Sequence, residues 1–499
     1  MTDAISIPEF QQIRDTLKIP VEFDPAVLAE AEAVIKYDVS SLPNLQETPF
    51  ITIDPPSSRD LDQAFFAARQ GEGYEVKYAI ADVGFFVQRG SAIEQEAWHR
   101  GLTLYSPDLK TPLYPSSLSE NAASLLPDVV RPAIVFSFAL NAHAEIASFT
   151  VARAMIRSRA KLAYGEVSAH LDFERETPNR GALTGHEWSG ALTLLEEIGR
   201  KREQLEAARG GVSLRIPAQQ VERWSTALHG YRLAFEEASE VEGWNAQISL
   251  MTGMAAAQLM LEHGVGLLRV LDPPRPERVQ MLRLTAQALQ IHWPDAMAYD
   301  EFVRGLNPKQ PLHAVLLQQA ARVTGGARYV AFEGEIHAWH SAIAASYAHT
   351  TAPLRRLADR YVLDLLVALA TGKRPDQAMI ETLYQLPPVM SEADRLSRQL
   401  ETAIVDFAEA RLMQDRIGEV FTAMVISLRQ EGATVQITDP PLRTLIPAAV
   451  WRAQDEAVTL SSDGATLAIA GTPITLGQTL SLRLEAANPK ARSLSFSLA

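Results

Sequence analysis

Two periodicities divide the chain. From Phe50 apolar residues recur at every second position, in Ile51 to Ile53, in Ala64 to Ala68 and, after the turn Gln70-Gly-Glu-Gly73, from Tyr74 to Val83. Such alternation puts the apolar side chains on one face of extended backbone, so these runs predict an antiparallel meander. Ala133 to Leu140 and Glu145 to Met155 add a hairpin around Asn141-Ala-His-Ala. From about residue 190 the spacing becomes helical, in Leu192 to Arg209, Ser239 to His263, Arg275 to Leu289, Ala352 to Thr371 and Ser391 to Arg416. Within the second of these, Ile248 to Leu261 is apolar nearly all round, the pattern of a helix buried in a large core.

After Gly418 short alternating runs return: Val420 to Leu428, Ala433 to Thr438, Thr444 to Pro447, Ala457 to Leu460, Thr466 to Ala470 and Leu480 to Leu484. With Gly and Asp-Pro-Pro turns between them, they predict a small barrel such as an OB-fold. Ahead of the meander, Pro8 to Lys18 and Asp24 to Lys36 carry short helical patterns, open to reading as a packing element or a helix-turn-helix-like adaptor. The expected class is α+β, with a small helical segment over 1–48, a main domain of antiparallel sheet packed with helices over 49–416 and an all-β barrel over 417–499.

Composition narrows the setting. A chain of 499 residues exceeds one ordinary core, and 47% hydrophobic with 21% charged residues describes a folded protein. Cysteine is absent, which removes disulfides, thiolate metal sites and cysteine nucleophiles and fits a reducing compartment. The opening residues lack a basic region followed by an apolar core, and no apolar run reaches the length of a membrane span. A cytoplasmic protein without membrane contact is expected, with a monomer as the default state. The net charge of −14 excludes a general polyanion-coating surface, so any nucleic-acid binding needs a local basic channel.

The densest chemistry lies in Ile51-Thr-Ile-Asp54-Pro-Pro-Ser-Ser-Arg59-Asp60-Leu-Asp62-Gln63-Ala64, which places three carboxylates between two strand-like runs. Asp60 and Asp62 face one side of extended backbone, and Pro55 and Pro56 can turn Asp54 back beside them. Converging carboxylates raise one another's pKa unless a cation sits between them, and hard oxygen ligands of this kind suit Mg²⁺. The competing reading is a solvated acidic turn beside Arg59.

Taken together with residues further on, the loop resembles the RNB catalytic domain of the ribonuclease II family, from about 50 to 415 and on into the terminal barrel. The family's opening motif is Ile-Asp, five residues, Asp-x-Asp-Asp, matched here by Asp54, Asp60 and Asp62. Tyr78-Ala-Ile-Ala-Asp82-Val, Tyr105-Ser-Pro, Arg131-Pro-Ala, Ala160-Lys-Leu-Ala-Tyr164 and Thr351-Ala-Pro-Leu-Arg355-Arg356 follow in the family's order. The resemblance implies a 3′-to-5′ exoribonuclease acting on single-stranded RNA with a 3′ end. It would release nucleoside 5′-monophosphates with Mg²⁺, or Mn²⁺ as substitute, through an RNB domain and an RNA-binding OB-fold.

It further implies roles. Asp54, Asp60, Asp62 and the residue at Gln63 would surround the metal, with Asp62 the most indispensable, and Arg355 would hold a phosphate oxygen, with Arg356 beside it on the RNA. Tyr105 and Tyr164 would line the end of the RNA channel, where aromatics stack on bases without regard to sequence. Glu242 aligns with an acid that contacts a ribose 2′-hydroxyl, or is a helix N-terminal charge. Glu401 is a partner for Arg355 or an exposed helical glutamate. Arg153, Arg157, Arg159 and Lys161 form a basic run that tracks phosphates or a solvated strand edge.

Four departures stand out. The family's fourth aspartate is Gln63, which removes a negative charge and should weaken metal binding. Ala352 replaces the usual serine before the proline. Leu214 stands where the family often offers an aromatic base clamp. About 50 residues precede the acidic loop, too few for the two cold-shock barrels of many members. Gln63 and the lean N-terminus keep an alternative open, an RNA-binding regulator with a weakened or inactive site.

Overall fold

The computed structural model describes residues 8–177, 180–212, 218–223, 231–236, 239–451, 457–469 and 472–499. Five strands, β1 (Phe50–Asp54), β2 (Gln63–Gln70), β3 (Gly73–Ala81), β4 (Val130–Leu140) and β5 (Ile146–Ala163), pair antiparallel in sequence order. The sheet is not an open meander. β5 returns to β1 in parallel, Asp54 opposite Ala163, and closes a five-stranded barrel.

The closure depends on the length of β5, which runs well past Met155. Its alternation continues there, with Ala154, Ile156, Ser158 and Leu162 buried while Arg153, Arg157, Arg159 and Lys161 occupy the other face. Charges on the outer positions hide that alternation from a count of apolar residues. The topology brings the ends of β1, β3 and β5 and the starts of β2 and β4 to one rim.

Helices α2 (Pro25–Val34), α3 (Tyr164–Glu176), α4 (Ser189–Ala208), α5 (Glu240–Glu262), α6 (Leu357–Ala370) and α7 (Gln377–Met413) pack around the barrel, and α1 (Pro8–Thr16) packs on α7 in a separate small cluster. One apolar core joins the barrel to α4, α5 and α6. α5 is the buried helix the apolar run predicts, with Ile248, Met251, Ala255, Ala256 and Met260 at 1% exposure or less. Gly253 lets it lie against Tyr347 and the carbonyl of Ala348, space a Cβ would fill. α7 begins at Gln377, earlier than its spacing predicts, because it runs through Pro387 and Pro388. Leu386 and Met390, fully buried on either side of the prolines, anchor both halves to the same core.

The N-terminal helix is a packing element. Phe10 meets Phe407 of α7 edge-on, ring centres 5.4 Å apart. Arg14 and Asp108 form a buried two-bond pair at 2.8 and 3.0 Å. Asp108 belongs to a short hairpin, Leu104–Tyr105 against Lys110–Thr111, so α1 steadies that hairpin.

At the C-terminus β6 (Val420–Arg429), β7 (Gly432–Ile437), β8 (Leu442–Pro447), β9 (Thr479–Asn488) and β10 (Ser493–Leu498) pair in the order β8-β7-β6-β9-β10. The edge strands β8 and β10 come into contact, giving the nearly closed small barrel expected. Helices Pro276–Ala288, Tyr299–Arg304 and Pro311–Val323 fall within the predicted main domain, yet they pack into this second core. Gln319 donates through Nε2 to the carbonyl of Ile426 at 2.8 Å. Phe421 and Phe496 meet inside the barrel, each 4% exposed, and are core rather than stacking platforms. Among the described residues no helix is long and apolar enough to cross a membrane.

Candidate active site at the barrel rim

Asp54 ends β1, and Asp62 and Gln63 enter β2, so the acidic loop spans neighbouring strands at the rim. Its backbone is clasped from outside. The Ser124 hydroxyl donates to the carbonyl of Arg59 at 2.7 Å and accepts from the N–H of Leu61 at 2.9 Å. Lys161 donates through Nζ to the carbonyls of Pro56 and Ser58 at 2.7 and 2.5 Å. Within the loop the Ser58 N–H donates to the carbonyl of Pro55 at 3.0 Å, and because the two prolines have no N–H to give, these side chains supply further partners.

Asp62 is 4% exposed. One carboxylate oxygen accepts from the N–H of Leu354 at 2.8 Å, the other from Nε of Arg355 at 3.3 Å. Burial nonetheless pushes its carboxyl up to about 7, with Arg355 and the Leu354 N–H opposing and Asp60 adding repulsion. Burial also raises Asp54, to about 6, against Arg355 and Lys161 and with help from Asp60. The three carboxylates thus feel one another. Asp60 stands 3.2 Å from Nζ of Lys110, which also contacts Glu120.

Arg355 comes from the turn before α6 and reaches Asp62 of the loop, its side chain 45% exposed. The turn is held by Asp359, fully buried in α6. One oxygen of Asp359 accepts from the N–H of Ala352 at 2.8 Å, and the carboxylate pairs with Arg356 at 2.8 Å. Arg356 is therefore engaged inside the protein and does not present itself as an RNA ligand. The segment Gly101 to Thr103 is stitched to the same turn, Thr103 donating to the carbonyl of Arg355 at 3.0 Å and Leu357 to that of Gly101 at 3.1 Å.

Both tyrosines flank the site. Tyr105 is 51% exposed, with its hydroxyl end sunk toward Asp60, and burial of that end and the nearby carboxylate push its pKa up. Tyr164 opens α3 beside Asp54. Its hydroxyl, pushed up to about 12 by burial and by Asp54, receives a 3.4 Å hydrogen bond from Asn245. Glu242 lies close enough to add to that shift, but its main task is local. It accepts from the Ser239 hydroxyl at 3.0 Å and gives its own N–H back at 3.2 Å, a reciprocal cap on α5.

Other expectations resolve differently. Glu401 lies on the exposed face of α7, accepts from Ser397 at 3.0 Å, and is not the partner of Arg355, a place taken by Asp62. In the basic run, Arg153 pairs with the buried Asp82 and with Asp364, Arg159 bonds the carbonyl of Gln46, and Lys161 holds the acidic loop. Those side chains anchor protein. Leu214 lies outside the described residues.

Gln63 is a strut. Its carbonyl accepts from the Tyr78 hydroxyl at 2.6 Å and its amide donates to the carbonyl of Thr351, tying β2 and β3 to the arginine turn. Among the described residues no group of three or more histidine, aspartate or glutamate side chains is placed to hold a metal ion, so the convergence of Asp54, Asp60 and Asp62 expected from the sequence is not seen. What the rim offers is a set of carboxylates partly neutralised by Arg355, Lys161 and Lys110. Lys110 and Asp359 went unnamed in the sequence reading; for Asp359, the i,i+3 spacing from Arg356 was a usable signal.

A closed five-stranded barrel packed with helices, its rim carrying three carboxylates, an arginine and two tyrosines, places the chain among mixed α+β folds with a polar site at one barrel end. The RNB domain family matches residues 43–372, and the chain belongs to that family. It is similar to Ribonuclease R of Chlamydia muridarum, 25% identical over 462 residues, covering 88% of this chain and 63% of that protein. Exoribonuclease 2 of Photorhabdus laumondii is 26% identical over 443 residues, 86% of this chain and 66% of the other. The chain thus spans less than two thirds of the length of these curated relatives. Among solved structures, Mycoplasma genitalium RNase R in complex with ribose methylated single-stranded RNA superposes with a TM-score of 0.86, 20% identity, 100% of this chain and 78% of that one. Yeast Ssd1, a pseudonuclease, gives 0.69 at 16% identity, 93% and 58% covered. Those likenesses concern the fold.

Proposed function

We propose that the chain is a Mg²⁺-dependent 3′-to-5′ exoribonuclease that hydrolyses single-stranded RNA to nucleoside 5′-monophosphates. The observation that carries the reading is Asp62 joined to Arg355 at the rim, with Asp54 and Asp60 within electrostatic reach. Water adds to the phosphorus of the last phosphodiester, the bond to the 3′-oxygen of the preceding nucleotide breaks, and that oxygen leaves as the new 3′-hydroxyl. A Mg²⁺ would be held by Asp54 with its neighbouring carboxylate Asp60, water and a substrate phosphate completing its shell, while Asp62 is engaged by Arg355 and the Leu354 N–H. When bound, the ion supplies a lowered pKa for the attacking water and charge neutralisation at phosphorus.

The side chains divide the remaining work. Arg355 is fixed through Nε, and among the described residues its terminal nitrogens make no hydrogen bond, so they can take a phosphate oxygen. Asp62 orients that guanidinium, and the Leu354 N–H fixes Asp62 in turn. Tyr105 offers an exposed ring on which a base can stack, and Tyr164 stands beside Asp54. Chromatography of the products tests the reading. Nucleoside 5′-monophosphates in Mg²⁺ and intact RNA in EDTA are expected; longer fragments or nucleoside 3′-monophosphates contradict it.

A second reading rests on Gln63, whose carbonyl and amide are both engaged within the protein. It makes the chain an RNA-binding regulator with a weakened site. Tight RNA binding without product in Mg²⁺ or Mn²⁺ supports it.

A further inference from the structure

The polar side chains of the mostly apolar α5 are spent in different ways. Thr252, fully buried, returns its hydroxyl to the carbonyl of Ile248 at 2.9 Å, a common arrangement for a hydroxyl inside a helix. Gln247 donates to Glu206 of α4 at 2.5 Å. Ser249 does neither. Its hydroxyl leaves the helix and shares a 2.7 Å hydrogen bond with the hydroxyl of Thr351, a residue 3% exposed and four positions before Arg355. One turn back on the same face, Asn245 donates to the Tyr164 hydroxyl at 3.4 Å. One buried helix thus holds two segments far apart in sequence, the start of α3 and the arginine turn.

We propose that Ser249 is a positioning residue of the site, acting through Thr351 to fix Arg355 against Asp62 and in register with Tyr164. The inference rests on the exoribonuclease reading above. The backbone of the turn is held by the Gln63 amide at the carbonyl of Thr351, by Asp359 at the N–H of Ala352, by Asp62 at the N–H of Leu354 and by the Thr103 N–H at the carbonyl of Arg355. Those bonds come from the acidic loop and β2, from α6 and from the Gly101 to Thr103 segment. Ser249 adds the tie to α5, the helix that also bonds Tyr164. The chain leading to the turn lies along α5, since the Ala348 N–H donates to the carbonyl of Gly253 at 3.1 Å. Among the described residues the hydroxyl pair is its last hydrogen bond to α5 before Arg355. Without Ser249 the buried Thr351 hydroxyl loses that partner, and the turn is free to shift toward another. A misplacement of about 1 Å at the reacting groups lowers a rate by up to about 100-fold. Ser249 itself touches no substrate in this account, so the loss falls on kcat rather than on KM.

Turnover of a 5′-labelled single-stranded RNA by the full chain in Mg²⁺, with melting curves alongside, reads this directly. Ser249→Ala is expected to lower kcat about tenfold with KM within about twofold, and Ser249→Thr, which keeps a hydroxyl, to restore kcat. Thr252→Val is the control. It removes a buried hydroxyl from the same helix, but one that serves only its own backbone, so it lowers Tm and leaves kcat unchanged. Thr351→Val breaks the pair from the other side, and the double variant with Ser249→Ala is expected to be no slower than the slower single one. A folded Ser249→Ala with kcat within about twofold of the unaltered protein, a double variant whose losses multiply, or a Thr252→Val as slow as Ser249→Ala overturns the proposal. Where Ser249→Ala does not fold, Thr351→Val decides, and an unchanged kcat there overturns it. Intact RNA with the unaltered protein contradicts the exoribonuclease reading and this inference with it, whereas RNA shortened equally well by Ser249→Ala contradicts the role of Ser249 only.

Discussion

Asp62 accepts a hydrogen bond from Nε of Arg355 across 293 residues of sequence, and the N–H of Leu354 reaches its other oxygen. A carboxylate at the barrel rim and an arginine before α6 are thereby one unit. Arg355→Lys keeps the charge and loses the planar fork. Hydrolysis of single-stranded RNA is expected to fall about 100-fold, while RNA affinity in EDTA changes by less than about tenfold. A turnover number within threefold of the unaltered protein, measured at saturating RNA, contradicts this role.

The same unit predicts a pH dependence of stability. The Asp62 carboxyl lies at about 7 in the fold against an ordinary value of 3.8, so folding favours its protonated form. Its contribution is fully present below 3.8 and is lost as pH rises through 7. Asp62→Asn stays neutral throughout. Without divalent ions, its stability relative to the unaltered protein should rise by about 2–3 kcal/mol between pH 5 and pH 8. Thermal melts whose difference does not change with pH would falsify the assignment.

Gln63→Asp sets two effects against each other. A carboxylate still accepts from Tyr78 but cannot donate to the carbonyl of Thr351, which costs about 1–2 kcal/mol of stability. It also adds a negative charge beside Asp62, which tightens Mn²⁺ binding. Melting curves with and without Mn²⁺ separate them: a lower Tm in EDTA and a larger rise on adding the ion are expected. An unchanged response to Mn²⁺ shows that position 63 does not face the ion.

Asp359→Ala leaves the partly buried Arg356, its side chain 21% exposed, without its carboxylate, and a loss toward the lower end of the about 3–5 kcal/mol of a broken buried pair is expected. Asp359→Asn retains an acceptor for the N–H of Ala352 and should cost less, with turnover reduced more than RNA affinity because the arginine turn loosens. Denaturant titration of both variants checks the order, and equal losses contradict the pinning role.

Short-range features were legible in the sequence and long-range ones were not. The spacing of Asp54, Asp60 and Asp62 announced itself because those carboxylates share one loop, and the apolar run in α5 announced its burial. The family resemblance located Arg355, Tyr105 and Tyr164, which periodicity alone leaves among ordinary core and surface residues. Closure of the barrel escaped because Arg157, Arg159 and Lys161 sit on the outer face of β5, where charge disguises a strand. Glu401 and Arg356 were placed near the RNA by motif order, but an exposed helix face holds the first and Asp359 the second. Lys110 depends on contacts made by folding, so no local pattern names it as a site residue, whereas Asp359 carries a local signal in its i,i+3 spacing from Arg356.

Incubation of a 5′-labelled single-stranded RNA with the protein and Mg²⁺, beside Asp62→Asn, tests the central claim most directly. The account predicts a ladder that shortens stepwise from the 3′ end with the unaltered protein, and bound but intact RNA with Asp62→Asn. Internal fragments, or the same ladder from both proteins, would contradict it.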